Sequence, residues 1–270
     1  MGKITAYLLK AFRSWERSTQ FAFVMALILL MVSFVVIMFS SGNLRQSALI
    51  GFIGLIIALQ LIFMWGNRTM VTAYTQAQRR YLAEDFSSAR DILEDFHNRS
   101  KPDVFSLTLL ANTYRQLGLL DKSEEIVKKA LALRPFDHFP LYSFGRTLLI
   151  RGLYTQAIDT LRQALQAGAP LIVEFDLGEA LYRNGEFDAS AEVLERIRDP
   201  QQEPFRLLMT DYLLYKMQRN GAPEAVEVAA GLAYWQELAN RFASTPYGQS
   251  LANDVAFMHS LGEANEYVGT

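Results

Sequence analysis

Two stretches of this chain are apolar without interruption, and everything behind them is apolar only at helical intervals. Phe21–Phe39 holds 19 residues with no charge and Ser33 as its clearly polar member. Ala48–Trp65 holds 18, again uncharged, with Gln60 the strongly polar group. As helices rising about 1.5 Å per residue, each is long enough for a hydrocarbon layer of about 30 Å. Packed inside a protein core, either helix would carry apolar side chains on faces that have nothing to meet, so a transmembrane hairpin is the expectation. The first run is also longer than the apolar part of a cleaved signal peptide, and a second run follows at once. Cleavage after the small residues Ser40, Ser41 and Gly42 is therefore not expected.

The flanks set an orientation. Lys3, Lys10, Arg13 and Arg17 precede the first run, and Arg68, Arg79 and Arg80 follow the second. The connecting loop, Ser40–Ser47, has Arg45 alone. Basic residues mark the cytoplasmic side, so both termini are expected there. Residues 1–19 form a basic segment, 20–66 the hairpin. Within the first, Ile4, Leu8, Ala11, Phe12 and Trp15 share one helical face, which fits either a short interfacial helix or a plain charged flank. Gly51, Gly54 and Ala58 put small residues on related faces of the second run, where another helix could approach closely. Neither run contains an acid, a base or a histidine, which leaves a proton or ion path without residues.

Behind the hairpin the pattern repeats. Leu117-Gly118, Arg151-Gly152 and Asn184-Gly185 recur at 34 and 33 residues, each between two amphipathic helical segments. Counting back the same interval from Gly118 reaches Glu84, in a matching turn. Small residues precede the turns (Ala111, Gly145, Gly178), with larger apolar ones three positions on (Tyr114, Leu148, Leu181). After the turns come Ala89, Ser123, Ala157 and Ser190, and four residues further Leu93, Val127, Leu161 and Leu194. Pro135, Pro170 and Pro200 lie near unit ends, where helices must stop.

These residues resemble the tetratricopeptide repeat (TPR) family over residues 70–202, as four units starting near Met70, Val104, His138 and Leu171. The clearest unit is LLANTYRQLGLLDKSEEIVKKALALRP, residues 109–135. The match weakens in the first unit, which has Glu84 for the turn glycine, and in the fourth, which has Ile197 for the late alanine. Beyond 202 the period blurs. Helices are expected over Phe205–Arg219, Pro223–Phe242 and Pro246–Leu261, with Asn220-Gly221 as a break and Thr245-Pro246 as a helix start. Residues 203–262 then read as a degenerate unit with capping helices, and 263–270 as a flexible tail. The fold class is all-α: a membrane hairpin followed by a TPR-like solenoid with a helical cap.

The resemblance implies a right-handed superhelix whose first helices line a concave groove. Its groove positions fall on Tyr74, Gln78 and Tyr81, then on Phe105, Thr108, Asn112 and Arg115. They continue on Phe139, Tyr142 and Arg146, and end on Phe175, Glu179, Tyr182 and Arg183. Aromatic rings with Arg and Asn suit a protein or peptide partner. A carboxylate clamp of the kind one TPR subclass uses is incomplete. Asn112 and Arg146 sit at suitable places, but Tyr74 and Gln78 stand where Lys and Asn are needed.

Composition narrows the chemistry. Of 26 basic and 28 acidic residues, five and one lie before residue 66, so the remainder carries 21 and 27. An acidic surplus argues against nucleic acid. There are no cysteines, hence no disulfide, thiolate metal site or cysteine nucleophile. His97, His138 and His259 are scattered, and neither a phosphate-binding glycine loop nor a nucleophile elbow occurs. No catalytic residue, cofactor or metal is expected. The expected role is that of a membrane-anchored scaffold or adaptor holding a protein partner at the cytoplasmic face. The alternatives are an accessory subunit of a larger membrane complex and, further off, a regulator of an enzyme or a cryptic enzyme.

Overall fold

A computed structural model of the chain describes residues 17–67, 73–99 and 103–268. Most of the basic N-terminal flank, Arg68 and the expected start of the first repeat at Met70 lie outside these. The described residues form thirteen helices and no strand, in two compact units divided at residue 72.

The first unit is a helical pair, α1 (Arg17–Phe39) and α2 (Asn43–Asn67). Both are long and apolar enough to cross a membrane. Gly42, at φ 62°, makes the corner. Along the contact, Ser33 Oγ donates to Ala48 O at 3.2 Å, and the Phe34 and Phe52 rings sit 6.3 Å apart. Elsewhere the pair presents apolar side chains outward, including Ile50, Ile53 and Ile57.

The second unit begins with four antiparallel pairs: α3 (Ala73–Leu82) with α4 (Phe86–Arg99), α5 (Val104–Gln116) with α6 (Leu120–Leu133), α7 (His138–Ile150) with α8 (Tyr154–Gln166), and α9 (Ile172–Arg183) with α10 (Phe187–Ile197). Three further helices follow: α11 (Pro204–Lys216), α12 (Ala225–Arg241) and α13 (Pro246–Val268). Helix α13 thus continues through most of the stretch expected to be a flexible tail.

The turns explain the period. Each repeat's first helix ends in a left-handed residue: Glu84 at φ 58°, Gly118 at 73°, Gly152 at 77°, Gly185 at 84° and Gln218 at 60°. Each is bridged by the same bond from the next amide back to the carbonyl five residues earlier, from Asp85 to Arg80, Leu119 to Tyr114, Leu153 to Leu148, Glu186 to Leu181 and Arg219 to Leu214. This is the Schellman closure of a helix C-terminus. Gln218 lies 33 residues after Gly185, so a fifth turn keeps the register where the sequence pattern had blurred. The left-handed corner is at Gln218, slightly ahead of the Asn220-Gly221 break.

Seven residues before each turn sits the small residue that lets the second helix close in. A Cβ on Gly145 would lie 2.7 Å from Leu161 Cδ2, and one on Gly178 would lie 2.6 Å from Leu194 Cδ2. The fifth repeat breaks this rule. Its equivalent is Asp211, which is buried and takes Arg198 Nε at 2.5 Å and Arg198 Nη2 at 3.1 Å. Pro223 and Glu227 replace the small and large apolar residues that should follow the turn. The second helix of the fifth repeat therefore does not form in register. The chain runs on through Asn220–Glu224 before α12 begins, and α12 leaves the repeat path.

Candidate functional site

The family-derived groove positions fall on α3, α5, α7 and α9, and the structure divides them into two groups. Those from Arg146 onward are covered by the chain's own α12–α13 hairpin, where a cap on the end of the solenoid was expected. Trp235 of α12 is buried, its ring 6.1 Å from Phe175 and its Nε1 donating to Phe205 O at 2.6 Å. The hairpin turns at Thr245, whose Oγ1 accepts from Gly248 N at 3.0 Å. Helix α13 then returns across the array. Pro246 packs on the Gly152 turn. Tyr247 is buried beside Glu179, whose charge adds to burial in raising the pKa of the tyrosine hydroxyl, and Asp254 takes Arg183 Nη1 at 2.5 Å and the Tyr212 hydroxyl at 2.8 Å. Ser250 Oγ accepts from the same Arg183 nitrogen at 2.7 Å.

The charges beneath the hairpin are arranged in pairs. Tyr142 donates to Asp176 Oδ2 at 2.6 Å, and Arg146 Nε lies 3.4 Å from Asp176 Oδ1. The Asp176 charge holds Arg146 well above the ordinary guanidinium range. Burial, followed by Asp176, pushes the Tyr142 hydroxyl up. Burial also raises Glu179, against the opposing pull of Arg183, whose Nη2 is 3.3 Å away. Only about 20 Å³ is left open among Arg146, Asp176, Phe205, Tyr234 and Tyr247, room for roughly one water.

The α12–α13 hairpin, with Phe242 in its turn, buries Trp235, Leu238, Phe242, Tyr247, Leu251 and Met258. At about 1.5–3 kcal/mol for each large apolar side chain, releasing them together costs on the order of 10 kcal/mol. The hairpin belongs to the core of repeats three to five. Sequence reasoning missed Asp176, Trp235, Tyr247 and Asp254. The available signal was the pair of polar intrusions, Asp211 and Glu227, at positions that elsewhere hold small and apolar residues.

The remaining positions are outside the hairpin or inside the array. Tyr74 is half-buried and Gln78 exposed on α3. Phe105 and Phe139 stand at the starts of α5 and α7 with rings 6.1 Å apart. Both starts are fixed by caps: Asp103 Oδ1 accepts from Ser106 N at 2.9 Å and Asp137 Oδ1 from Phe139 N at 3.0 Å. Phe136, in the loop beside them, is 88% exposed. Thr108, Asn112 and Arg115 point into the array: Thr108 Oγ1 donates to Val104 O, while Asn112 Oδ1 accepts from both Arg115 and Ser143. Tyr81 lies edge-on to Phe86 of its own turn at 5.2 Å; Tyr182, partly buried at the margin of the hairpin, lies likewise against Phe187 at 5.4 Å. In the first unit, Gly51 and Gly54 face away from α1, with nothing within 4 Å of an added Cβ, and Ala58 is half-buried.

Among the described residues no cluster of three or more His, Asp or Glu is set to hold a metal ion. His97 is partly buried, its ring 6.4 Å from that of Phe96, and burial lowers its pKa.

The repeat geometry agrees with what the chain is similar to. The family model described as tetratricopeptide repeat matches residues 106–137, most of α5 and all of α6. Among solved structures, TTC0263, a thermophilic TPR protein of Thermus thermophilus, is 18% identical and has a TM-score of 0.50. It covers 69% of this chain and 96% of its own. MamA of Desulfovibrio magneticus RS-1 is 17% identical over 71% of this chain and 94% of its own, with a TM-score of 0.42. No curated protein matches the sequence. The chain is thus all-helical, with a TPR-like solenoid as its larger unit.

Proposed function

We propose that this chain is a membrane-anchored TPR scaffold that holds a protein partner at the cytoplasmic face through the open, N-terminal part of its repeat array. The observation that carries this reading is the division of the groove. From Arg146 onward it is filled in cis, whereas Tyr74, Gln78, Phe105 and Phe139 remain accessible, continued by the exposed Phe136. Aromatic rings on a rigid helical scaffold supply buried contact area at small cost in side-chain entropy. The length and apolarity of α1 and α2 support anchorage, and the basic flanks support cytoplasmic termini. The acidic surplus supports protein over nucleic acid, and the reading is one of binding rather than catalysis.

A second reading, an accessory subunit of a larger membrane complex, draws support from Gly51 and Gly54, which leave α2 open to close approach by another helix. Crosslinking mass spectrometry on native membranes separates the two. A scaffold gives crosslinks to a non-membrane protein near repeats one and two, lost in Phe105→Ala/Phe139→Ala with the helical content unchanged. A subunit gives stoichiometric crosslinks from the hairpin that survive those substitutions. A C-terminal reporter active only outside the cytoplasm would overturn the topology.

A further inference from the structure

The fully buried apolar residues of the repeat unit fall into separate clusters. One cluster runs through repeats three to five and the hairpin, from Leu141 to Met258. Repeats one and two have separate, smaller clusters around Leu93, Leu110 and Tyr114 and around Val104 and Leu107. Between α5–α6 and α7 the most deeply buried contacts are polar, with the partly buried Leu120 and Leu131 and the Phe105–Phe139 ring pair beside them. Ser123 and Thr147 share a hydrogen bond of 3.0 Å, and Ser143 Oγ donates to Asn112 Oδ1 at 2.7 Å. Arg115, itself buried, donates to Asn112 at 2.7 Å and to Ser143 O at 3.3 Å. Separating such surfaces lets water replace each bond, whereas separating apolar ones exposes area that water does not solvate. A desolvated guanidinium adds to the relief.

This seam is bridged from outside. Arg241, at the end of α12, donates to Gln116 Oε1 at 2.5 Å and lies over the Phe86 ring at 5.3 Å, while Glu237 on its own helix holds its other nitrogen. Gln116 in turn donates to the Tyr81 hydroxyl at 3.4 Å. The bridge closes one wall of a cleft of about 240 Å³ lined by Tyr81, Phe86, Tyr234 and Leu238.

We infer that the boundary between repeats two and three is a hinge, latched shut by Arg241, whose opening changes the curvature of the array and widens this cleft. The inference stands whether or not the open groove binds a protein. The chain has no cysteine, so spin labels enter at chosen sites without background. Full-length protein in detergent, labelled at Ser87→Cys and Glu192→Cys on either side of the seam, is measured by pulsed dipolar EPR. The expected result is one dominant distance in the parent and a second, longer population, raised at least several-fold, in Arg241→Ala. Gln116→Leu, which breaks the latch from the other side, gives the same population. Adding Ser123→Ala/Thr147→Val, which replaces one of the seam's buried polar contacts by an apolar one, reduces it. A control pair within repeats three and four, Gln163→Cys and Glu192→Cys, keeps its single distance throughout. Latch variants whose distributions superpose on the parent overturn the hinge, and so does broadening of the control pair, which reports general loosening.

Discussion

Replacing Asp254 by alanine tests whether α13 is seated on the repeat array as described. The Asp254 carboxylate is the meeting point of two repeats: Arg183 of α9 at 2.5 Å and Tyr212 of α11 at 2.8 Å. The side chains of Arg183 and Asp254 are 3% and 12% exposed, so solvent screens their attraction little. Breaking a buried ion pair by removing one partner costs about 3–5 kcal/mol, and leaving the Tyr212 hydroxyl without its acceptor adds about 1–3 kcal/mol. Glu179 and Ser250 remain beside Arg183 and offset part of this, so a loss of about 3 kcal/mol is expected. With an m-value of about 2 kcal/mol/M in urea, the midpoint of the full-length chain in detergent, followed by circular dichroism, drops by about 1.5 M. Arg183→Met/Asp254→Leu, which removes both charges, recovers most of the loss, because the penalty lies in the unpaired ion. An Asp254→Ala midpoint within error of the parent would refute the seating of α13.

Other substitutions probe the repeats themselves. Gly178→Ala forces a Cβ to 2.6 Å from Leu194 Cδ2, and the fully buried Leu194 cannot yield, so about 1–2 kcal/mol is lost despite the better helix propensity of alanine. Unchanged urea stability would mean that α9 and α10 are not packed this closely. Glu84 and Gln218 adopt left-handed backbone that glycine enters without strain. Glu84→Gly/Gln218→Gly together stabilise by about 1–2 kcal/mol, and a lower thermal midpoint would contradict the assigned turns. Burial raises Glu179, so the folded state binds this proton more tightly than the unfolded chain. Its contribution is therefore lost as pH rises from the ordinary carboxylate value through the raised folded one. Glu179→Gln lacks that decline, and thermal profiles that run parallel to the parent's would rule the carboxyl out as its source.

The sequence carried the repeat register because each turn makes the same local demand. Gly118, Gly152 and Gly185 announce left-handed corners, and spacing alone located Glu84. Gln218 was hidden because nothing local distinguishes a glutamine that tolerates this backbone from one that does not need it. The groove positions were legible as a list, by resemblance, but their occupancy was not. Trp235, Tyr247 and Asp254 come from helices outside the repeat register, and their partners lie far away along the chain, 71 residues in the case of Arg183 and Asp254. Periodicity reports which face of a helix is apolar and is silent on which distant helix will cover it. The departure of α12 did leave a local trace, in Asp211, Pro223 and Glu227 at positions where packing requires small or apolar residues.

The α12–α13 hairpin also bears on how the protein comes into being. Stacked repeats ordinarily mature one after another, since each needs only its neighbour. Here Arg241 meets Gln116 across 125 residues, and α13 supplies buried side chains to repeats made much earlier. Contacts of such sequence separation slow folding and cannot form while the ribosome still holds the chain's later helices. During that interval the faces of α7 and α9 that carry Arg146, Phe175 and Arg183 stand bare. Any factor that handles this chain during synthesis meets a groove that the finished protein no longer has.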